Sequence, residues 1–195
     1  MKRVHLVTVL LGCFLATCLS ATSIQKFTFE ELVDKSQLIV EAEVVSVSSL
    51  TKDNLVYTRV LMEIHDVLKG DDTGEFIELD FLGGEVNGNT IIVSGQDIPL
   101  AGERGFYFIE DISGKSVNPL LGWSQGHFRI LVDAKGNERL ETDVQQELLE
   151  ITTNKNAALA AKLKSMKFNS ELVVDAEFSP VTPDELRDAV GAFLD

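Results

Sequence analysis

Residues 122–126 have the residue types and spacing that a serine nucleophile requires. They read Gly-Trp-Ser-Gln-Gly and satisfy the Gly-x-Ser-x-Gly form, in which a strand-to-helix turn exposes the serine and an acid and then a histidine follow later in the chain. Here a strand pattern follows Ser124, and the last histidine, His127, is too near in sequence to be the usual partner. We therefore predict no catalytic site, and a serine-type hydrolase that uses Ser124 is the alternative.

Histidine and cysteine, the usual ligands of transition metals, are scarce in this sequence. Both cysteines, Cys13 and Cys18, lie in the apolar amino-terminal segment, and two histidines, His65 and His127, follow it. A zinc site would need carboxylates for its remaining ligands, and the two histidines lack ligand spacing. We expect His65 on the solvated face of a strand. The sequence predicts no metal site and no cofactor.

The stretches that packing explains least are bounded by glycine. Gly83 and Gly84 interrupt a strand pattern, and Trp123, the only tryptophan, stands in a glycine-bounded loop. Rigid aromatic area carries much of the energy of protein interfaces, although Trp123 closing one end of the sheet explains the pattern as well. The predicted binding residues are Trp123, Gln125, His127, Gly83 and Gly84.

The amino terminus has the pattern of a secretory signal peptide. Two basic residues follow Met1, residues 4–19 are mostly apolar, and small residues come next, which is the order that signal peptidases recognise. The apolar stretch is shorter than the roughly 20 residues that a membrane-spanning helix needs. We predict a mature chain that begins between Ala21 and Ile24, no stable membrane span, and a secreted or periplasmic location. Lipid attachment at Cys13 is the alternative.

The charge of the chain disfavours one class of partner. It has 31 acidic and 17 basic residues, a formal net charge of −14, and the loss of Lys2 and Arg3 with a signal peptide makes it more negative. Such a protein repels phosphate backbones, so we predict no nucleic-acid binding. The predicted mature chain has no cysteine, so its stability comes from burial and not from disulfides.

Alternating apolar residues predict a mainly β (α+β) protein. Thr28 and Glu31 form a capping box before a short helix, and the alternation from Leu38 slips by one residue between Val44 and Val45, which indicates a bulge. The predicted strands cover Leu38 to Val47, Tyr57 to Leu68, Ile77 to Phe81, Ile91 to Val93, Phe106 to Ile109 and Phe128 to Val132.

Past Leu140 the spacing becomes helical. Residues 144–151 and 156–167 are rich in alanine and leucine, and Thr182 with Pro183 begins a final helix. The predicted organisation is a signal peptide over residues 1–23, an OB-like antiparallel β-barrel domain over residues 24–140, and a helical C-terminal region packed on the barrel over residues 141–195.

Parts of the strand region carry a resemblance to known proteins. Residues 36–44, followed by residues 57–60 and 64–70, resemble the first two strands of the netrin-like OB-fold barrel of the tissue inhibitors of metalloproteinases. The run over residues 38–132 is also similar to small exported bacterial proteins of uncharacterised function, some of them encoded near matrixin-type metalloproteases. The inhibitors coordinate the protease zinc through an amino-terminal cysteine, and the predicted mature chain has none.

The resemblance and the lack of a catalytic set lead to one expectation about function. It is an exported, non-enzymatic binding protein that engages another exported protein, such as a metalloprotease. The alternatives are the serine-type hydrolase and a lipid-anchored surface or ligand-binding protein.

Overall fold

The computed structural model describes residues 27–71, 73–142 and 181–194, which form a mainly β fold. The predicted signal peptide, Cys13 and the two predicted helices over residues 144–151 and 156–167 lie outside these ranges. Among the described residues, no helix is both long and apolar enough to span a bilayer. The elements are α1 (Phe29–Lys35), β1 (Leu38–Lys52), β2 (Leu55–Lys69), β3 (Phe76–Leu82), β4 (Gly84–Val86), β5 (Asn89–Ile91), β6 (Arg104–Ile109), a 3₁₀ turn (Trp123–Gly126), β7 (His127–Val132), β8 (Glu138–Thr142) and α2 (Pro183–Leu194).

Six strands form one antiparallel sheet in the order β3-β2-β1-β6-β7-β8, and β4 and β5 form a separate hairpin. The mainly β, antiparallel class is thus confirmed. Within the described residues β3 and β8 are the two ends of the sheet and do not pair with each other, so the closure of the sheet into an OB-like barrel stays a prediction.

The long strand β1 is irregular where the sequence predicted a bulge. Its pairing with β2 shifts register between Val44 and Ser46, which leaves Val45 as the extra residue, and two further shifts occur nearer its start. Bulges bend a strand and increase its twist. β1 is therefore curved, and the sheet built on it has two unlike faces.

The helices cover one face of the sheet, which we call the helix face, and the β4–β5 hairpin lies on the other, the hairpin face. The apolar cluster of the helix face consists of Phe29, Leu32, Val33, Ile39, Phe106, Phe108, Leu121, Phe128, Ile130, Leu140, Val181, Leu186, Ala189 and Val190. The cluster of the hairpin face consists of Leu38, Val40, Ala42, Val44, Val60, Met62, Leu79, Phe81, Tyr107, Ile109 and Leu120. Burial on both faces explains why β6 is apolar at successive positions.

Both predicted helix starts are confirmed by their hydrogen bonds. The backbone N–H of Glu31 donates to Thr28 Oγ1 at 3.2 Å, and that of Thr28 donates to Glu31 Oε2 at 2.8 Å. The same reciprocal pair joins Thr182 and Glu185 at the start of α2, where Pro183 is the first helical residue. Two short helices thereby satisfy amide groups that would otherwise lack partners.

The segment around the hairpin differs from its predicted form. As predicted, the glycine pair ends β3, which stops at Leu82, and Gly84 then begins β4. The predicted strand from Ile91 to Val93 is wrong beyond its first residue, because β5 ends at Ile91. β5 is short because its pairing partner, β4, has only three residues. Ile92 is consequently 85% exposed.

Candidate functional site

Gly83 and Gly84 turn the chain from β3 into β4 directly against β2. Their φ angles are +119° and +124°, values that side chains disfavour. The N–H of Gly83 donates to the carbonyl of Val56, and Thr58 Oγ1 donates to the carbonyl of Gly83, both at 2.8 Å. A Cβ on Gly84 would stand 2.7 Å from Thr58 Oγ1, so this close approach requires glycine.

The turn borders a groove of about 260 Å³ on the hairpin face. Gly83 and Gly84, both predicted as binding residues, line it, and Thr90 and Gln96 contribute polar side chains. The groove is largely apolar, as ligand sites usually are. Its apolar side chains are those of Leu82, Ile91, Ile92, Val93 and Ile98.

Gln96 is one of the two polar side chains that line the groove. Its amide oxygen and amide nitrogen are both buried and have no hydrogen-bond partner within the described residues. An unpaired buried polar group costs about 1–3 kcal/mol. The amide offers both an acceptor and donors, so a rotation of the side chain that exposes it would allow it to bind a backbone peptide unit of another chain.

The connection over residues 92–103 carries Gln96 and ends at Glu103, whose side chain contacts the buried ring of His127. His127, only 1% exposed, stacks its ring on Tyr107 with centroids 4.7 Å apart, and its Nε2 lies 3.0 Å from Glu103 Oε1. Burial raises the pKa of Glu103, but His127 and the N–H of Leu100 outweigh it, so that the pKa lies below its usual value. The contact with Glu103 therefore holds the end of this connection against the buried side chain of His127.

Trp123 and Gln125 lie at a different place, beside the start of α1. Gly122 and Trp123 both have left-handed φ angles, +61° and +60°, and Trp123 is half-buried. Gln125 Oε1 accepts a hydrogen bond from the N–H of Phe27 at 2.9 Å, while its Nε2 donates to the carbonyl of Gly122 at 3.3 Å. Gln125 thus fastens the chain ahead of α1 to the 3₁₀ turn.

The structure does not bring the five predicted binding residues together. Gly83 and Gly84 line the groove, whereas Trp123, Gln125 and His127 do not. β7 follows the 3₁₀ turn that contains Ser124, and a strand there lacks the strand-to-helix geometry of a nucleophile elbow. The described residues contain no group of three or more histidine, cysteine or acidic side chains arranged to hold a metal ion.

A buried charge cluster on the helix face was not predicted from the sequence. Glu41, 1% exposed, accepts from Arg104 Nε at 2.9 Å and from Arg187 of α2. Burial raises the pKa of Glu41, but hydrogen bonds and charge from Arg187 and Arg104 outweigh it and hold the pKa below its usual value. This cluster, which we call the Glu41 clamp, ties α2 to the sheet.

Comparison of the chain with protein-family models, with curated proteins and with solved structures found no match. The resemblance to the tissue inhibitors of metalloproteinases therefore stays a prediction. The groove on the hairpin face is the candidate site that the described residues themselves define.

Proposed function

We propose that this protein is an exported, non-enzymatic binding protein whose hairpin-face groove takes an extended apolar segment of another exported protein. The observation that carries the proposal is the unpaired, buried amide of Gln96 in an apolar groove. An unpaired buried amide lowers the stability of the free protein. A partner that hydrogen-bonds to the amide would recover this free energy on binding.

The size of the groove suits one side chain of an extended peptide segment. Its volume of about 260 Å³ is below the roughly 300–1,000 Å³ of small-molecule sites. In an extended segment the side chains alternate in direction, so one apolar side chain enters the groove while the adjacent backbone faces Gln96. Main-chain bonding supplies affinity and the pocket supplies selectivity.

Ile92 at the rim adds apolar contact area to this site. It is 85% exposed, and covering an aliphatic side chain of this size contributes about 1.5–3 kcal/mol. An exposed apolar side chain is ordinary by itself, but here it adjoins an apolar groove that contains an unpaired amide. The three features together define a contact surface.

An exported metalloprotease is the first partner to test, because of the resemblance in the strand region. The OB-like barrel belongs to the same proposal and is supported by the three register shifts between β1 and β2, since bulges bend strands and increase their twist. Without an amino-terminal cysteine, the proposed contact uses the groove and leaves the protease zinc unligated by this chain.

Site-specific crosslinking tests the proposed function. A photo-crosslinking residue at position 92 should capture a protein from the secreted fraction of the source organism, whereas the same residue at exposed Glu30 should not. The captured protein, purified, should then bind the unmodified chain and lose that binding with Gln96→Ala. Equal capture at both positions would overturn the proposal, and so would an affinity that Gln96→Ala leaves unchanged.

The proposed export has its own test. Mass spectrometry of the protein recovered from its native host should give an amino terminus between Ala21 and Ile24. An acylated Cys13 would replace secretion by lipid anchoring, and an intact Met1 in the cytoplasmic fraction would contradict export.

A further inference from the structure

We propose that the segment recognised by the groove carries basic residues on either side of its apolar centre. This inference rests on the proposed function and adds the charge of the partner to it. Shape and the Gln96 amide select an extended apolar chain, whereas the charges around the groove select among such chains.

In the part of the chain that builds the groove, every charged residue is acidic. Residues 70–103 contain eight acidic residues and no lysine or arginine. Glu85 follows Gly84 on β4 and is exposed, and Asp97, with a side chain 53% exposed, stands between Gln96 and Ile98. Glu85 and Asp97 do not line the groove, but each is adjacent in sequence to residues that do, on the hairpin side and on the loop side respectively.

The neighbouring cations compensate only part of this charge, because they pair with Glu78, Asp80 and Asp97 and not with Glu85. Arg59 Nε lies 2.7 Å from Asp80 Oδ1, and Lys52 Nζ lies 3.6 Å from Asp80 Oδ2. Arg129 Nη1 lies 3.9 Å from Asp97 Oδ2, so Asp97 has an ion-pair partner. Glu85 has no ion pair among the described residues, so its carboxylate faces solvent beside the groove.

A cation that flanks the apolar centre of a partner segment would meet Glu85 or Asp97 at the rim. Each exposed pair contributes little alone, but several pairs together with the field of the acidic segment raise affinity by about tenfold at low salt. The Debye length falls to roughly 3 Å at 1 M salt, so this preference should disappear there. Complementary charge at the rim thus provides selectivity, and the apolar centre provides the main contact.

Three pools of blocked heptapeptides test the inference with the intact protein. Each pool has a mixture of valine, leucine, isoleucine and phenylalanine at its three central positions, flanked on both sides by two lysines, two glutamines or two glutamates. Fluorescence anisotropy should give about tenfold tighter binding for the lysine pool than for the glutamine pool at low salt. The glutamate pool should bind most weakly, and the three should converge at high salt.

Matched variants locate the preference on the groove. Glu85→Gln, alone and with Asp97→Asn, should reduce the lysine preference and leave the affinity for the glutamine pool unchanged, whereas Glu30→Gln on α1 should change neither. Thermal unfolding of each variant verifies that it is folded.

The outcomes separate this inference from the proposed function. Equal binding of all three pools would overturn the charge selection and leave the groove as an apolar peptide site. If the double variant Glu85→Gln with Asp97→Asn keeps the preference for the lysine pool, that preference comes from the overall charge of the protein. This result would also overturn the inference. Failure of every pool to bind would contradict the proposed function itself.

Discussion

The two faces of the sheet treat their buried polar groups in opposite ways. On the helix face the carboxylate of Glu41 is met by Arg104 and Arg187, so a group that is costly to bury is fully paired. On the hairpin face the amide of Gln96 is buried without a partner among the described residues, next to the exposed side chain of Ile92. The first arrangement stabilises the fold. The second costs stability.

The largest effect should follow from breaking the Glu41 clamp. Glu41→Gln removes the charge that pairs with two guanidinium groups, and we expect the free energy of unfolding to fall by about 3 kcal/mol, the lower end for a broken buried pair because both arginines reach solvent. Urea unfolding measures the change. The control is Glu43→Gln on the same strand, which should stay within about 0.5 kcal/mol; equal effects would show that the clamp does not stabilise the helix face.

The same clamp predicts a dependence of stability on pH. Since the pKa of Glu41 is lower in the folded chain than in the unfolded chain, its stabilisation is present above the unfolded value of about 4.3 and is lost as pH falls through the folded pKa. Urea unfolding from pH 7 to pH 2.5 should show the gap between the wild type and Glu41→Gln narrowing below about pH 4.3. A gap that stays constant would contradict this.

A smaller effect is expected where the hairpin meets the sheet. Gly84→Ala combines an unfavourable φ of +124° with a Cβ placed 2.7 Å from Thr58 Oγ1, so we expect a loss of about 2–3 kcal/mol. Gly88→Ala is the matched control, because Gly88 has a φ of +81° but nothing within 4 Å of an added Cβ, and it should cost about 1 kcal/mol. Thermal unfolding compares them, and equal losses would argue against close packing of the hairpin.

The smallest effect, and the only gain, is expected at Gln96. Gln96→Leu replaces an unpaired buried amide by an apolar side chain of similar size, and we expect the free energy of unfolding to rise by about 1 kcal/mol. Partner binding should weaken in the same variant. A loss of stability would mean that the Gln96 amide supports the fold itself, and the contrast between the two faces would then disappear.

The sequence predicted the regular parts of this fold because their causes are local. The alternation in β1, its bulge at Val45, and the capping boxes at Thr28 and Thr182 each depend on a few adjacent residues. The Glu41 clamp joins residues far apart in the chain, so no local pattern could give the partners of Glu41. Gln96 carries no local signal at all, because its isolation depends on how the connection over residues 92–103 packs.

Isoleucine side chains lie on both faces of the sheet, so their methyl NMR signals can show directly whether a peptide binds in the groove on the hairpin face. Methyl NMR spectra of the protein would be recorded while the glutamine-flanked peptide pool is added. Binding in the groove should shift the methyl signals of Ile91, Ile92 and Ile98 and leave those of Ile39 and Ile130 on the helix face unchanged. Shifts confined to Ile39 and Ile130, or no shift at any of the five, would contradict the assignment of binding to the hairpin face.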